Sequence, residues 1–168
     1  KWETKDIDCL LKDINNFSKN DDLDLFYCLQ NITLVENKDS FNVVDGQQRL
    51  TTLAIILSYL GEYSLINEKI QYNIRKETEE FLKEYIYKSS NIKTIENWEQ
   101  LLSISSLENI DYDYQDIYYL FNAYKTVQSW FDSYPHKEPE MRDKVLNHIK
   151  IIVNLPKNND TRTNSFTS

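Results

Sequence analysis

Glycine is almost absent from this 168-residue chain, occurring only at positions 46 and 61. That excludes a GxxxxGK[ST] phosphate loop, whose two glycines must frame one tight turn. Cysteine is as scarce. Cys9 and Cys28 lie far apart and form no CxxC pair, which argues against a zinc site or a disulfide framework and makes a reduced, cytoplasmic protein the simplest reading. Neither cysteine sits in a recognisable catalytic context. The two histidines, His136 and His148, fall outside nuclease or protease spacing, so each reads as a surface or helix-face residue and no metal-ligand set is assigned. Nothing in the first residues resembles a signal peptide. Its longest uncharged run, Leu50 to Gly61, is too short to span a bilayer, so no membrane contact is expected.

Basic residues are also in deficit. With 19 Lys and Arg against 27 Asp and Glu, the formal net charge is -8, the wrong sign for a domain that grips DNA through its backbone alone. Any nucleic-acid contact must be local or belong to another domain. Apolar residues make up 40% and aromatics 13%, including 12 tyrosines, which is enough for a core.

Read in order, Thr4 to Phe17 forms a first helix with Thr4 as its cap and Ile7, Leu10, Leu11 and Ile14 on one face. Asp21, Asp22 and Asp24 read as a solvated loop rather than a metal site. Tyr27 to Val35 and Phe41 to Val44 read as the two strands of a hairpin. Past Gly61, Lys69 to Ile74 is a weak strand, followed by a helix over about Lys76 to Tyr87. Beyond Asn91 the chain is helical and tyrosine-rich, with helices over Thr94 to Leu102, Tyr114 to Tyr134 and Glu138 to Asn154. Its aromatics fit the packing of a helical subdomain better than base stacking, because Lys125 is the one basic residue among them. Asp111, Asp113 and Asp116 read as first-turn acids and a helix cap. The end of the chain reads as a loop or frayed tail.

The centre of this arrangement is Val43-Val44-Asp45-Gly46-Gln47-Gln48-Arg49-Leu50-Thr51-Thr52-Leu53. A β-branched run ends at an Asp-Gly turn and an apolar helix begins at once, which is one way to present backbone N–H groups to an anion. Arg49 adds a cation in or beside the first turn, a placement that costs an isolated helix roughly 0.3–1 kcal/mol and so suggests an anionic ligand. Gln47 and Gln48 add amide donors and acceptors. The helix itself is apolar on most of its circumference and is expected to be buried. The plainer alternative is a strand-to-helix turn with a solvated arginine. Arg75, ahead of the next helix, reads either as a second phosphate or carboxylate contact or as an ion-pair partner of Glu79.

The string Asp45 to Leu53, DGQQRLTTL, resembles the signature of the GmrS-like, DGQQR-containing domain at the N-terminal end of GmrSD-type modification-dependent (type IV) restriction enzymes and related phage-defence proteins. Supporting matches are Trp2 with Ile7, Leu10, Leu11, Asp13 and Ile14, the strand Tyr27 to Val35, and Ile70 to Glu77 with Phe81-Leu82. The chain departs from the family pattern in lacking a YQRPY-like segment and a downstream asparagine motif, and in carrying Gln30 where a glycine is usual. It begins at Lys1 and so reads as a fragment. The family is similar in fold to the ParB/sulfiredoxin group, whose comparable turn holds nucleotide phosphates.

The resemblance implies an α+β fold, predominantly helical, with a small ParB-like mixed sheet in residues 1–90, a larger helical subdomain in 91–155 and a tail in 156–168. It implies a nucleotide-binding and NTP-hydrolysing regulatory domain of a defence nuclease whose cutting domain is elsewhere. GTP, CTP and ATP remain open as ligands, with Mg2+ compatible with any of them. Gly46 would let the backbone approach the phosphates, Gln47 and Gln48 would position phosphate or water, and Arg49 would neutralise developing charge. Asp45 would orient water or hold a cation, and Arg75 would add a further contact. A non-catalytic module for modified DNA or a partner protein is the alternative, and a helical interaction domain without ligand is a third. Contact with DNA would run through other domains, and assembly with a second copy stays open.

Overall fold

Helix α1 (Thr4–Asn16) forms where apolar residues recur at helical spacing, and it buries Ile7, Leu10, Leu11 and Ile14 as that spacing requires. Its cap is Glu3 rather than Thr4, and the Asp6 carboxylate accepts the Glu3 backbone N–H at 2.8 Å. The computed structural model describes residues 3–18, 25–67, 69–72, 75–87 and 91–156. Trp2, the acids 21–24, Asn73, Ile74 and the tail from 157 lie outside the described residues.

The expected hairpin is present. Strands β1 (Tyr27–Asn37) and β2 (Ser40–Asp45) run antiparallel through a two-residue connection, Lys38-Asp39, with Lys38 at φ +52°. The third strand was not expected. Helix α7 (Glu138–Asp143) continues through a π-helical turn, Lys144–His148, and then gives way to β3 (Ile149–Asn154). A single helix over 138–154 is therefore incorrect. Ile149, Ile151, Ile152 and Val153 are β-branched residues that suit a pleated surface, and β3 uses them to pair parallel with β1, giving the sheet order β2-β1-β3. That partner is more than a hundred residues away, so no local period could reveal it.

Helix α2 (Gln47–Tyr59) follows the hairpin directly and buries Thr52 through Ile56, Ser58 and Tyr59. It ends in a Schellman turn: the Glu62 N–H donates to Leu57 O and the Gly61 N–H to Ser58 O, with Gly61 at φ +79°. Arg142, on α7, also donates to Leu60 O and pairs with Glu62, so a cation sits at the negative end of α2.

The remaining helices enclose α2. After α3 (Tyr63–Ile66), residues 69–72 carry no strand. Helix α4 (Lys76–Phe81) runs on as a π-helical turn, Leu82–Tyr87, and a 3-10 turn, Asn91–Thr94, precedes α5 (Trp98–Leu107), which Asn97 caps through the Gln100 N–H. Helix α6 (Gln115–Ser133) packs on both α1 and α2. Tyr112, Phe121, Tyr124, Trp130 and Phe131 are buried, and Phe131 stacks on Tyr59 with ring centroids 4.7 Å apart. Most of the aromatic run is thus core, while Tyr118, Tyr119 and Tyr134 remain exposed.

One hydrophobic cluster takes in Ile14, Ile56 and Phe81 together with Tyr112, Phe121, Phe131 and Met141. The fold is α+β and predominantly helical, with one small mixed sheet among the described residues.

Candidate functional site

The Asp-Gly junction lies where the end of β2 meets the start of α2, and two strand irregularities aim the chain at it. On β1, Leu29 pairs with Ile151 and Ile32 with Val153, so one extra residue is accommodated at Gln30-Asn31. On β2, Thr33 faces Asp45 while Leu34 faces Val43, so Val44 is the extra residue. Bulges of this kind bend a strand and re-aim its groups, and they recur beside functional sites.

Gly46 caps α2 at φ +90° and ψ +10°, the left-handed region. A Cβ there would stand 2.5 Å from Ile32 Cγ2. Glycine is required at this position twice over, by conformation and by close approach to β1. Gly46 has no side chain with which to cap the helix, and no acid occupies the first turn. The first ladder bond runs from Leu50 N–H to Gly46 O, which leaves the N–H groups of Gln47, Gln48 and Arg49 without an acceptor in the helix. These residues, with Val44, Asp45 and Gly46, line a cavity of about 230 Å³.

Arg49 does not project freely from this wall. Nη1 donates to Gln30 Oε1 at 2.8 Å, Nη2 donates to Asn31 O at 2.6 Å, and Nη2 lies 3.4 Å from Asp45 Oδ2. Its side chain is only 16% exposed, against 72% for Asp45. Nε is buried without a hydrogen-bond partner. Gln47 donates through Nε2 to Val43 O at 2.8 Å, tying the first helical residue back to β2, while Gln48 stays exposed. Thr51, one turn on, hydrogen-bonds the Tyr72 hydroxyl, which anchors the start of α2 to the 69–72 segment.

Asp45, Gly46, Gln47, Gln48 and Arg49 all line this one cavity. Arg75 is placed apart from them. It caps α4, pairs with Asp116 at 3.6 Å and lies over the Tyr114 ring at 4.2 Å, while Glu79 pairs with Lys83. It does not line the cavity of the turn. Gln30 and the Asn31 carbonyl are the site groups that sequence reading missed. A polar residue on a strand is common, and nothing local announces the bulge that turns it towards Arg49.

The sequence model of a family described as "GmrSD restriction endonuclease, N-terminal domain" matches residues 1–168. The chain belongs to this family. No curated protein and no solved structure matches it. Membership in the GmrSD N-terminal domain family places the chain in a restriction or phage-defence setting and implies further domains in the full-length protein.

Other chemistry around the GmrSD-type turn is limited. Among the described residues there is no grouping of three His, Cys, Asp or Glu able to hold a metal ion, and no helix is long and apolar enough to cross a membrane. His148 contacts Leu25 O and Asp143, and His136 is exposed, so neither joins the turn. A second cavity, of about 280 Å³, is lined by Ile70, Gln71, Tyr72, Glu79, Leu82, Lys83 and Tyr87. Burial pushes the Tyr72 hydroxyl well above its ordinary range and Tyr87 up to about 12, so both are neutral hydrogen-bonding groups near neutral pH.

Proposed function

We propose that this chain is a nucleotide-binding, NTP-hydrolysing regulatory domain of a restriction or phage-defence system, with the phosphates seated on the Asp45–Arg49 turn. The observation that carries the reading is the uncapped start of α2. A glycine with no capping side chain, pressed against β1, leaves three backbone N–H groups beside a cavity that also holds Arg49. Backbone donors, helix dipole and guanidinium all favour an anion.

The size of the cavity narrows the ligand. At about 230 Å³ it is smaller than the roughly 300–1,000 Å³ of a typical small-molecule site. It suits a polyphosphate group, with sugar and base lying outside on the surface. In this reading the ParB-like use of the turn is to grip phosphate rather than to enclose the nucleotide.

In hydrolysis the oxygen of a water molecule bonds to the terminal phosphorus as the bridging P–O bond breaks, releasing phosphate and nucleoside diphosphate. The Gln47, Gln48 and Arg49 N–H groups would hold phosphate oxygens, and the Arg49 guanidinium would stabilise the charge that builds on them. The exposed Asp45 carboxylate, which faces Arg49 through Oδ2, would accept a hydrogen bond from the attacking water on its other oxygen. With so few carboxylates at the turn, Asp45 and the phosphates themselves would hold Mg2+, which would supply further neutralisation.

Calorimetric titration with GTP, CTP and ATP in the presence of magnesium tests the proposal, using this chain and its Arg49→Ala variant. Saturable binding by the chain, lost in the variant, is the expected result, and phosphate release then reports turnover. Binding without phosphate release would favour a non-catalytic sensing module. Absence of binding to all three nucleotides overturns the proposal and turns the search to modified DNA or a partner protein.

A further inference from the structure

We infer that Gln30 is a positioning residue for Arg49, holding the guanidinium nitrogen that meets the phosphate; the inference rests on the phosphate-binding reading of the turn. A guanidinium has five N–H donors. In Arg49, one Nη2 donor goes to the Asn31 carbonyl, the other faces Asp45, one Nη1 donor goes to Gln30, and Nε is buried with no partner. The donor left for an outside acceptor is the second one on Nη1. Gln30 holds that same nitrogen, at 2.8 Å.

The extra residue at Gln30-Asn31 takes these two out of register with β3, so the Asn31 carbonyl is turned to Nη2 and the Gln30 amide to Nη1. The two contacts engage both terminal nitrogens, and because guanidinium N–H donors lie in the plane of the group, the pair fixes its rotation as well as its position. Asn31 and Asp45 both meet Nη2, so without Gln30 the Nη1 end of the plane would be unheld. Gln30 removes that freedom before a ligand arrives, and a group held in place loses less entropy on binding than one that must be ordered. The side chain of Gln30 carries no charge, so it orients the guanidinium without neutralising it.

Gln30→Met keeps the length and removes the acceptor. Because Gln30 is exposed, the thermal midpoint should stay close to that of the unaltered chain. The probes are inorganic triphosphate and the three nucleotides, titrated calorimetrically. Binding should weaken about tenfold in Gln30→Met, the size of one hydrogen bond to a charged group. In an Arg49→Lys background, where the planar fork is gone, adding Gln30→Met should change binding no further, because Gln30 acts through Arg49 alone. Unaltered binding in Gln30→Met, alongside loss in Arg49→Ala, would overturn the inference and leave the phosphate reading standing. An equal loss from Gln30→Met in the Arg49→Lys background would also overturn it. If the unaltered chain takes neither triphosphate nor nucleotide, the phosphate reading fails and this inference fails with it.

Discussion

Gly46 and Ile32 are in such close contact that one added carbon on Gly46 would lie 2.5 Å from Ile32 Cγ2. The contact joins the start of the central helix to the middle strand of the sheet, so the geometry of the turn and the packing of β1 are one constraint.

Gly46→Ala should therefore destabilise the chain by about 2–4 kcal/mol, through left-handed strain and the clash with Ile32 together. Urea denaturation measures it. Ile32→Ala alone should also destabilise, by about 2–5 kcal/mol, because Ile32 is buried. Combined, the two should cost less than their sum, since the smaller residue relieves the clash but not the φ strain. Additive losses would show that the contact does not matter.

Lys144 is 3% exposed, donates to Asn15 O at 2.6 Å and pairs with Glu140 at 2.9 Å. It ties the end of α1 to the segment that launches β3. Lys144→Met should cost about 1–3 kcal/mol, because the Asn15 carbonyl loses its donor. The hydrogen bond from Lys144 holds the Glu140 carboxyl below its usual range, and nearby lysine charge adds to the effect. A depressed carboxylate contributes stability above its unfolded pKa, about 4.3, and loses that contribution as pH falls through the folded value. Glu140 is well exposed, so screening limits this to less than about 1 kcal/mol. Urea midpoints between pH 6 and pH 3 should fall less steeply in Lys144→Met than in the unaltered chain.

At the alkaline end the tyrosines act in the other direction. Burial holds the Tyr87 hydroxyl up to about 12, and it donates to Ile70 O at 2.9 Å. The unfolded chain ionises near pH 10, so the stabilisation is complete below that point and disappears as pH rises through the folded value. Tyr72, Tyr112 and Tyr124 are raised by burial as well. Stability should drop between pH 10 and 12, and Tyr87→Phe should lessen the slope while lowering stability at pH 7 by about 1 kcal/mol. Circular dichroism in urea at each pH reads both effects.

Pairing of the edge strand β3 with β1 predicts that alternate amides along Ile149–Asn154 are protected in hydrogen exchange. In this edge strand a proline at a position whose N–H faces β1 removes a ladder donor, and it should destabilise more than a proline at the intervening positions, whose N–H groups face away from the sheet. Fast exchange at every amide from Ile149 to Val153 would contradict the parallel pairing.

The amino-acid sequence determined the features whose causes are local. Four apolar residues at helical spacing specify the buried face of α1. Alternation and turn residues specify the β1–β2 hairpin. An Asp-Gly pair between a β-branched run and an apolar run specifies the strand, turn and helix start that bring Asp45 to Arg49 together, and the same string carries the family. What only the tertiary structure decided depends on groups distant in the chain. The residues 149–154 become a strand because β1 offers them a ladder, although their local pattern continues the preceding helix equally well. Arg75 turns to Asp116 and Tyr114 because α6 packs beside it. Arg49 is held by Gln30 and Asn31 because a bulge on β1, where its register with β3 shifts, turns these two groups towards it, and no spacing along the sequence encodes that approach.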